Sequence, residues 1–340
     1  MITIKEIAKI AGLSPSTVSI VLSGKAKERK ISQRSTDKIL KIASENGYVA
    51  NIQAIGLRTS ASSPQYRIVI FWTADYRAKI MIRFIQTIES EILARHIDCE
   101  VLLKPYEPSH LKEAMTDDLI RSCHGILICN ASEDDLAFLE KSSFPRPIVL
   151  YNRYSKIYPT VTMDDAAIGR LPADIFAIHG CRNPAIVASP ATFNGMTMRS
   201  NIFAYECVEK GLAEPVYISC EATLEGGYDA TSSLLTKYPE TDCIFYSSDT
   251  LSLGAIRYFL ENKIQVPQDL KIIAVGNNDL SFSAMCYPSV SVIYLPIEDM
   301  AKECLSLLMA ELTYRNKSST HANVPIQYIP RESCPEIIPL

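Results

Sequence analysis

The sequence lacks any long apolar run. No stretch of the 340 residues approaches the roughly 18 apolar residues in a row that a membrane-spanning helix needs. The residues after Met1 lead straight into a helical pattern, without the basic, apolar and small-residue segments of a signal peptide. We therefore expect no membrane segment and no export, and we expect the protein in the cytoplasm.

Patterns of paired cysteine or histidine are also lacking. The ten cysteines are scattered singly without a C-x-x-C pair, and the five histidines include no pair at i and i+4. Isolated cysteines in a chain without export signals are typical of reduced thiols inside a cytosolic protein. We expect no disulfide framework, no metal site and no cofactor.

Catalytic motifs are missing as well. The chain contains no G-x-x-x-x-G-K, no G-x-G-x-x-G after a strand, no G-x-S-x-G and no H-E-x-x-H. Adjacent carboxylates such as Asp117-Asp118 and Asp134-Asp135 lie in helical stretches, where solvated faces are the usual interpretation. We do not expect an enzyme. Turnover of a sugar by the purified chain would establish that alternative.

What the sequence does contain is a helix-turn-helix pattern near its start. Thr3 and Glu6 have the spacing of a capping box, and Gly12 suits a sharp turn. Ser14 followed by Pro15 is a strong signal for the start of a second helix. A third helix is predicted from Ser32 to Asn46, with Ile39, Leu40, Ile42 and Ala43 on its apolar side. This arrangement predicts a second helix that lies in the major groove of DNA.

Charge supports a DNA partner for this end of the chain. Residues 1–60 hold ten Lys or Arg against four Asp or Glu, a net charge of +6. The whole chain carries −4, so residues 61–340 carry −10 by difference. A basic end on an acidic body concentrates the attraction for phosphate in one place, and the basic loop around Lys25 to Lys30 is expected to contact the DNA backbone.

The segment from Thr3 to Thr59 closely resembles the headpiece and hinge of the LacI/GalR family of bacterial transcriptional regulators. The resemblance rests on the helix-turn-helix together with the stretch Asn51–Thr59 after Gly47-Tyr48. In that family a hinge helix orders on the operator, and its paired leucines wedge into a minor-groove step and bend the DNA. Leu57 occupies that leucine position. The resemblance implies DNA contacts from these residues: Thr3, Ser14, Pro15, Ser16, Thr17, Ser19, Ile20, Lys25, Lys27, Arg29, Lys30, Asn51, Ala54, Ile55, Leu57 and Arg58.

Two departures from the family pattern bear on operator sequence. The family usually has Arg after Thr-Val-Ser, where this chain has Ile20, which can touch a thymine methyl group but cannot contact a guanine edge. The hinge reads Ala54-Ile55-Gly56-Leu57 instead of Ala-Arg-Ser-Leu, and Gly56 weakens a helix by about 1 kcal/mol relative to Ala. We expect an operator that differs from the commonest type.

The rest of the chain alternates short apolar strands with helices, which predicts parallel sheets joined by right-handed crossovers. The predicted strands are Arg67–Trp72, Asp98–Leu103, Gly125–Cys129, Pro147–Tyr151, Ala185–Ala188, Val216–Ser219, Cys243–Tyr246 and Lys271–Val275, with helices from about Lys79 to His96 and Pro108 to Cys123.

Two such α/β units resemble the two-lobed, periplasmic-binding-protein-like sensor of the same family. The expected domains are a headpiece at 1–50, a hinge helix and linker at 51–65, and an effector-binding and dimerisation domain at 66–340. The chain is expected to cross between lobes near 162, 291 and 323. This gives a first lobe of 66–161 with 292–322 and a second lobe of 162–291 with 323–340.

Ligands of doubly wound sheets bind at the carboxyl ends of strands, so an effector is expected in the cleft between the lobes. Phe71, Trp72 and Asp75 follow the first strand. Trp72 is the only tryptophan in the chain, and it suits either stacking on a sugar or a place in the core.

The resemblance adds Asn152, Arg199 and Ser248-Asp249 to the effector-contact candidates. Arg199 can fork onto vicinal hydroxyls or a carboxylate. Asp249 can accept ligand hydroxyls, cap the next helix, or both. The loop Asn277-Asn278-Asp279 also has a family counterpart, but its register leaves the choice among the three residues open.

The function that the resemblance implies is that of a transcriptional repressor controlled by a small-molecule effector, a sugar or sugar derivative. Such a regulator is expected in the bacterial cytoplasm, associated with the nucleoid when bound to DNA. Two chains pair through their sensor lobes on a pseudo-palindromic, double-stranded operator, and the effector shifts the angle between the lobes. Only seven residues follow Ser333, too few for an appended tetramerising coiled coil, so a homodimer is expected. An alternative keeps the DNA binding and replaces the metabolite with a protein partner.

Overall fold

The computed structural model describes residues 3–22, 26, 29–45, 66–74, 78–191, 193–314 and 320–336. Contacts divide the chain into two compact units. One is Met1–Tyr66 with Asp98–Glu100, and the other is Arg67–Ile97 with Val101–Leu340. Each unit is described separately below.

The first unit is helical, with α1 at Ile4–Ala11, α2 at Pro15–Leu22 and α3 at Gln33–Glu45. The predicted capping box is confirmed: the Glu6 amide donates to Thr3 Oγ1 at 3.3 Å, and the Thr3 amide donates to Glu6 Oε2 at 2.7 Å. Gly12 has a φ of +67°, the left-handed backbone that a sharp turn requires. The turn therefore forms where the sequence predicts it.

The three helices enclose a small apolar core. Its fully buried members come from all three helices: Ile7, Ala8, Ala11, Val18, Val21, Ile39, Ile42 and Ala43. Leu40 was expected on the buried side of α3, and this prediction is wrong, because its side chain is 48% exposed. Ile39, Ile42 and Ala43 share one helical face through spacings of three and four residues, which turns Leu40 away from that face.

The second unit contains two six-stranded sheets, each covered by helices. In chain order its elements are β1 Tyr66–Thr73, α4 Ala78–Ala94, β2 Cys99–Tyr106, α5 Leu111–Ala114, α6 Asp117–Ser122, β3 Gly125–Cys129, α7 Glu133–Lys141, β4 Ile148–Tyr151, β5 Thr160–Met163, α8 Asp165–Ile178, β6 Pro184–Ala188, α9 Asn194–Glu209, β7 Val216–Ser219, α10 Leu224–Lys237, β8 Cys243–Tyr246, α11 Asp249–Glu261, β9 Lys271–Gly276, α12 Leu280–Met285, β10 Ser291–Tyr294, α13 Ile297–Tyr314, β11 His321–Val324 and β12 Gln327–Ile329.

Strand order defines two lobes. The sheet of the first lobe has the order β11-β5-β4-β3-β1-β2, and that of the second lobe has the order β12-β10-β9-β8-β6-β7. The ladders from β11 to β1 and from β10 to β7 are parallel, while β12 pairs antiparallel with β10. The predicted α/β fold class, with two parallel-dominated sheets, is confirmed.

The chain changes sheets after Met163, after Tyr294 and between Val324 and Gln327. The first and third positions lie within three residues of the expected crossings near 162 and 323. The second comes later than the expected 291 because Ser291–Tyr294 forms strand β10 beside β9 before the chain leaves the second lobe.

One predicted helix is wrong. The stretch from Pro108 to Cys123 forms two short helices, α5 and α6, instead of one long helix. The break falls at Met115 and Thr116, where the Thr116 hydroxyl accepts from the Leu119 amide and starts α6. A good N-cap residue inside a helical pattern therefore ended one helix and began another.

Within the described residues, no helix is both long enough and apolar enough to cross a membrane.

Candidate DNA interface and effector cleft

Helix α2 presents its beginning to the outside of the first unit. Ser14 caps the helix, because its hydroxyl oxygen accepts from the Thr17 amide at 3.1 Å. Pro15 and Ser16 are exposed, whereas Thr17, Ser19 and Ile20 are half-buried. Val18 and Val21 point into the core. Side chains at the start of α2 are thus available for contact, while the opposite face fixes the helix in place.

The charged residues near α2 lie on the segments that flank it and not on the helix itself. The helix itself holds no acidic or basic residue. Exposed cations come from the flanking segments of the same unit: Lys5, Lys9, Arg29, Lys30, Arg34, Lys38 and Lys41. Such a division suits an element that reads base edges with neutral side chains while its neighbours contact phosphates.

The structure does not describe several of the residues that were predicted to contact DNA. These residues lie outside the described part of the chain: Lys25, Lys27, Asn51, Ala54, Ile55, Leu57 and Arg58. Thr3 is described, and its hydroxyl already serves the capping box with Glu6.

Two adjoining cavities lie at the carboxyl ends of the strands in the second unit. The larger has a volume of about 150 Å³ and is lined by second-lobe residues: Ala188, Ser189, Ala191, Met196, Thr197, Arg199, Ser200, Asn201, Tyr217, Phe245, Ser247 and Val275. The smaller, of about 30 Å³, is lined by both lobes: Ile80, Asn130, Tyr151, Asn152, Met163, Phe193, Met196, Arg199, Ser247, Asn277, Leu295 and Ile297. Met196, Arg199 and Ser247 line both, so the two form one cleft.

Asn130 and Asn152 form a matched pair in the first lobe. Each directly follows a parallel strand, and each has left-handed backbone, with φ values of 59° and 56°. Asn130 was missed from the sequence, although its place after β3 is the same signal that marks Asn152 after β4. Its side-chain nitrogen is buried and has no hydrogen-bond partner. A buried amide without a partner costs free energy, which a ligand acceptor would recover.

Arg199 lies on α9 with only 8% of its surface exposed. Its Nε and Nη2 both approach Asp165 Oδ1 at 2.7 Å, so the pair is buried and is not a surface salt bridge. Gly169 allows this packing, because a Cβ there would lie 2.3 Å from the carbonyl oxygen of Arg199. Helices α8 and α9 therefore hold the guanidinium at the wall of the cleft.

Asp249 supports the neighbouring loop instead of facing the cleft. Its buried carboxylate accepts from the Asn277 amide at 3.3 Å and from the Asn278 amide at 3.0 Å. Ser248 caps α11, with its hydroxyl oxygen accepting from the Thr250 amide at 3.2 Å. Burial raises the pKa of Asp249, and the hydrogen bonds from Asn278 and Asn277 lower it in part. Two roles were left open for Asp249, contact with the ligand and capping of the helix. The structure instead displays a role that was not expected, support of the loop, and Ser248 caps the helix.

The three candidates in the 277–279 loop have different surroundings. Asn277 lines the smaller cavity. Asn278 is buried, and its side-chain nitrogen donates to Asp249 Oδ1 at 2.6 Å and to Thr250 Oγ1 at 2.9 Å. Asp279 is exposed and caps α12 by accepting from the Ser281 amide at 2.8 Å. Only Asn277 of the three reaches a cavity.

The aromatic candidates on β1 are core residues. Phe71 is fully buried and packs edge-on against Tyr106. Trp72 is 1% exposed, and its ring lies 5.5 Å from Phe84 and 5.8 Å from Tyr151. The aromatic residues that line the cleft are instead Tyr151, Phe193, Tyr217 and Phe245. Asp75 lies outside the described residues.

Side chains also bridge the two lobes around the cleft. Arg83 on α4 donates from Nη1 to the carbonyl oxygen of Asn278 at 3.2 Å and pairs with Glu298 at 2.8 Å. The Arg153 guanidinium lies 4.3 Å from the centre of the Phe193 ring. These contacts make the lobe arrangement depend on residues that adjoin the cleft.

Both parts of the chain are similar in sequence to known proteins. Residues 3–51 match the model for bacterial regulatory proteins of the lacI family, and residues 173–334 match that for a periplasmic binding protein-like domain. The HTH-type transcriptional regulator GalR of Streptococcus thermophilus is 26% identical over 328 residues, which cover 94% of this chain and 96% of GalR.

Solved structures agree with the fold. A LacI family transcription regulator from Clostridium acetobutylicum superposes with a TM-score of 0.74 at 27% identity, over 78% of this chain and all of that one. The regulator CelR in complex with cellobiose gives 0.67 at 19% identity, over 98% and 100%. The lac repressor dimer bound to operator and the anti-inducer ONPF gives 0.69 at 16% identity, over 98% and 99%.

Proposed function

The chain belongs to the LacI family of bacterial regulatory proteins, and we propose that it represses transcription as a homodimer under the control of a small hydroxyl-rich effector. One chain combines an uncharged, outward-facing helix on a basic unit with a cleft at the carboxyl ends of parallel strands. This combination carries the proposal. A regulator of this kind acts on DNA in the cytoplasm, and we assign the cleft a binding role without catalysis.

The DNA half of the proposal rests on α2. Ser16, Thr17 and Ile20 lie where a helix entering the major groove meets base edges. Ile20 offers an aliphatic contact for a thymine methyl group, and the surrounding lysines and arginines neutralise phosphates. We propose that the hinge residues Ala54, Ile55 and Leu57, with Asn51 and Arg58, engage the minor groove between the two half-sites.

The effector half rests on the amides of the cleft. Asn130, Asn152 and Asn277 each offer a donor and an acceptor, which suits hydroxyl groups that also donate and accept. Among the described residues that line the cavities, Arg199 is the charged one, and Asp165 already neutralises it. The lining therefore favours a neutral polyol, such as a sugar, over an anion.

The size of the cleft points to a small ligand. The larger cavity, at about 150 Å³, is small beside the roughly 300–1,000 Å³ of typical ligand pockets. Phe193 and Tyr151 can cover the apolar face of a sugar ring. We propose a monosaccharide or a derivative of one.

We propose that coupling between cleft and operator runs through the lobe contacts. Asn277 touches the cleft, while Asn278 is tied to Asp249 and to Arg83 of the other lobe. A ligand that binds Asn277 and shifts its position therefore favours one arrangement of the two lobes over the other. An effector controls DNA affinity only if it binds one arrangement better than the other.

Dimerisation has a candidate face in the second unit. Large apolar side chains stand exposed on α4 and on α12 with the turn after it: Ile82, Phe282, Met285 and Tyr287. Arg83 joins the start of α4 to the loop that leads into α12, so these residues belong to one region. Exposed apolar patches of this kind mark association sites, and a second copy of the chain is the partner that we propose.

The test is a melting screen of the full-length protein against monosaccharides, sugar acids and sugar phosphates, followed by operator titration with each ligand that stabilises it. We expect a neutral sugar to raise the Tm and to change operator affinity at least fivefold. Stabilisation by a ligand that leaves DNA affinity unchanged would contradict the proposed coupling. If only a protein fraction changed operator affinity, the alternative of a protein effector would replace the metabolite.

A further inference from the structure

Two thiols and a carboxylate meet at the far end of the second lobe from the effector cleft. The Sγ atoms of Cys181 and Cys243 and a carboxylate oxygen of Asp242 all lie within 4.8 Å of one another. Across the described part of the chain, no other three His, Cys, Asp or Glu side chains approach so closely. This group was not predicted from the sequence, because Cys181 lies far from the other two residues in the chain.

The strands explain how the group forms. Cys243 is the first residue of β8 and lies beside Pro184, the first residue of β6. Cys181 belongs to the turn between α8 and β6. The group therefore sits at the amino ends of these parallel strands, whereas the effector cleft lies at their carboxyl ends. Any ligand of the group would bind independently of the effector.

The carboxylate is already held in a fixed orientation. The amide of Arg182 donates to Asp242 Oδ2 at 2.8 Å, and the amide of Asn183 donates to Asp242 Oδ1 at 2.9 Å. Hydrogen bonds of this kind orient metal-ligating carboxylates. Asp242 is half-buried and Cys181 is 8% exposed, so an ion can reach the group from solvent, while Cys243 is fully buried.

The two thiols interact with each other. A hydrogen bond from Cys243 lowers the pKa of Cys181, while burial raises the pKa of Cys243 well above its ordinary value. The positive charge of Lys271 also lowers the pKa of Cys181.

We propose that Cys181, Asp242 and Cys243 form a binding site for one thiophilic divalent cation of the Zn²⁺ class. Two cysteine sulfurs and one carboxylate oxygen are ligands that Zn²⁺ takes in tetrahedral sites, with a water molecule in the fourth position. Binding releases the two thiol protons to solvent and forms two metal–sulfur bonds without any change in oxidation state. The site then carries a net charge of −1, which Lys271 offsets.

The bound ion would cross-link separate segments of the second lobe. It would join the end of α8, the turn before β6 and the start of β8, and would stabilise the folded lobe because a ligand that binds only the native state shifts unfolding. The Lys271 amide donates to the Asp242 carbonyl oxygen at 3.0 Å, so the start of β9 is connected to the same point.

The experiment uses Cd²⁺ as a spectroscopic probe on the reduced full-length protein, with Zn²⁺ as the competitor. We expect one Cd²⁺ per chain, an ultraviolet sulfur-to-metal charge-transfer band, displacement by Zn²⁺ and a higher Tm with either ion. Cys181→Ser and Cys243→Ser should lose the band, and Asp242→Asn should bind at least tenfold more weakly. Cys123→Ser, which removes a fully buried thiol of the first lobe, should bind as the parent does.

If the buried Cys243→Ser variant does not fold, the Cys181→Ser and Asp242→Asn variants still test the proposal. A band of equal intensity in Cys181→Ser, or the absence of tight Cd²⁺ binding in the reduced parent, would overturn the proposal. So would isolation of the protein with a Cys181–Cys243 disulfide that reductant opens without conferring metal binding, since the pair would then be a redox couple.

Discussion

Asp249 holds Asn278 through two hydrogen bonds, from the backbone amide at 3.0 Å and from the side-chain amide at 2.6 Å. The carbonyl oxygen of Asn278 in turn accepts from Arg83 of the other lobe at 3.2 Å. One buried carboxylate therefore connects the loop beside the effector cleft to helix α4 across the lobe boundary. This relationship makes Asp249 an indirect determinant of the cleft.

Asp249→Asn should weaken this connection. The amide keeps the shape of the side chain but replaces a carboxylate oxygen with a donor that faces the donors of Asn277 and Asn278. We expect the free energy of unfolding to fall by about 1–3 kcal/mol, the cost of leaving buried groups unsatisfied. Effector affinity should fall as well, because Asn277 loses its support. Urea unfolding and calorimetric titration measure both quantities.

The control for this variant is Asp229→Asn, an exposed acid on α10 of the same lobe. It should leave stability within about 0.5 kcal/mol of the parent. Equal effector affinity in parent and Asp249→Asn would show that the loop does not depend on the carboxylate.

Asn130→Asp should weaken effector binding, and it should also lower stability because it buries a carboxylate that loses its hydration. The buried side-chain nitrogen of Asn130 has no protein partner, so replacing it removes no existing hydrogen bond, and aspartate tolerates the left-handed backbone. We expect effector affinity to fall at least tenfold because a donor becomes an acceptor. Titration with the effector found in the screen checks this, with Asn323→Asp on β11 as the control. Unchanged affinity would remove Asn130 from the site.

The Arg83–Glu298 pair predicts a pH dependence of stability. Burial acts to raise the pKa of Glu298, but the hydrogen bonds from Arg83 and Tyr294, a backbone hydrogen bond and the charge of Arg83 together outweigh it and leave the pKa below its ordinary value of 4.5. A depressed folded-state pKa contributes stability above pH 4.5 that is lost as the pH falls through the folded value. The stability difference between parent and Arg83→Gln should therefore shrink as the pH falls from 6 towards 4.

Urea midpoints of both proteins across this pH range provide the measurement. Comparison with the variant cancels the acid sensitivity of other groups. A difference that grew on acidification would contradict the assigned pairing.

Gly169→Ala should displace α8 from α9. A Cβ at this position would lie 2.3 Å from the carbonyl oxygen of Arg199, and backbone cannot yield as a flexible side chain can. We expect a loss of about 1–3 kcal/mol in unfolding free energy from overpacking, together with weaker effector binding as Arg199 shifts. Ser233→Ala, on an exposed position of α10, should leave both nearly unchanged. A fully stable Gly169→Ala would contradict the close helix contact.

The sequence predicted the parts of this molecule that depend on local pattern. Capping at Thr3 and Ser14, the turn at Gly12 and the apolar strand runs all follow from near neighbours in the chain. The polar four-residue strand β11 was not predicted, because its pairing with β5 is settled only in the folded sheet.

Site roles were harder to predict, because they depend on which side chains meet. Trp72 follows the strand-end rule yet is buried between Phe84 and Tyr151. The resemblance led us to expect effector contact from Asp249, but its carboxylate accepts hydrogen bonds from the amides of Asn277 and Asn278. The group of Cys181, Asp242 and Cys243 exists only because parallel strands start side by side.

The measurement that most directly tests the account is operator selection from random DNA duplexes at fixed salt, by the parent protein and by Ile20→Arg. If α2 reads the operator, the parent should enrich one palindrome, with a thymine in each half-site where Ile20 contacts the base. Ile20→Arg should enrich a palindrome of the same length with guanine at that position, because arginine pairs with the guanine edge. Enrichment of no palindrome, or the same sequence from both proteins, would contradict the assignment of α2 as the helix that reads DNA.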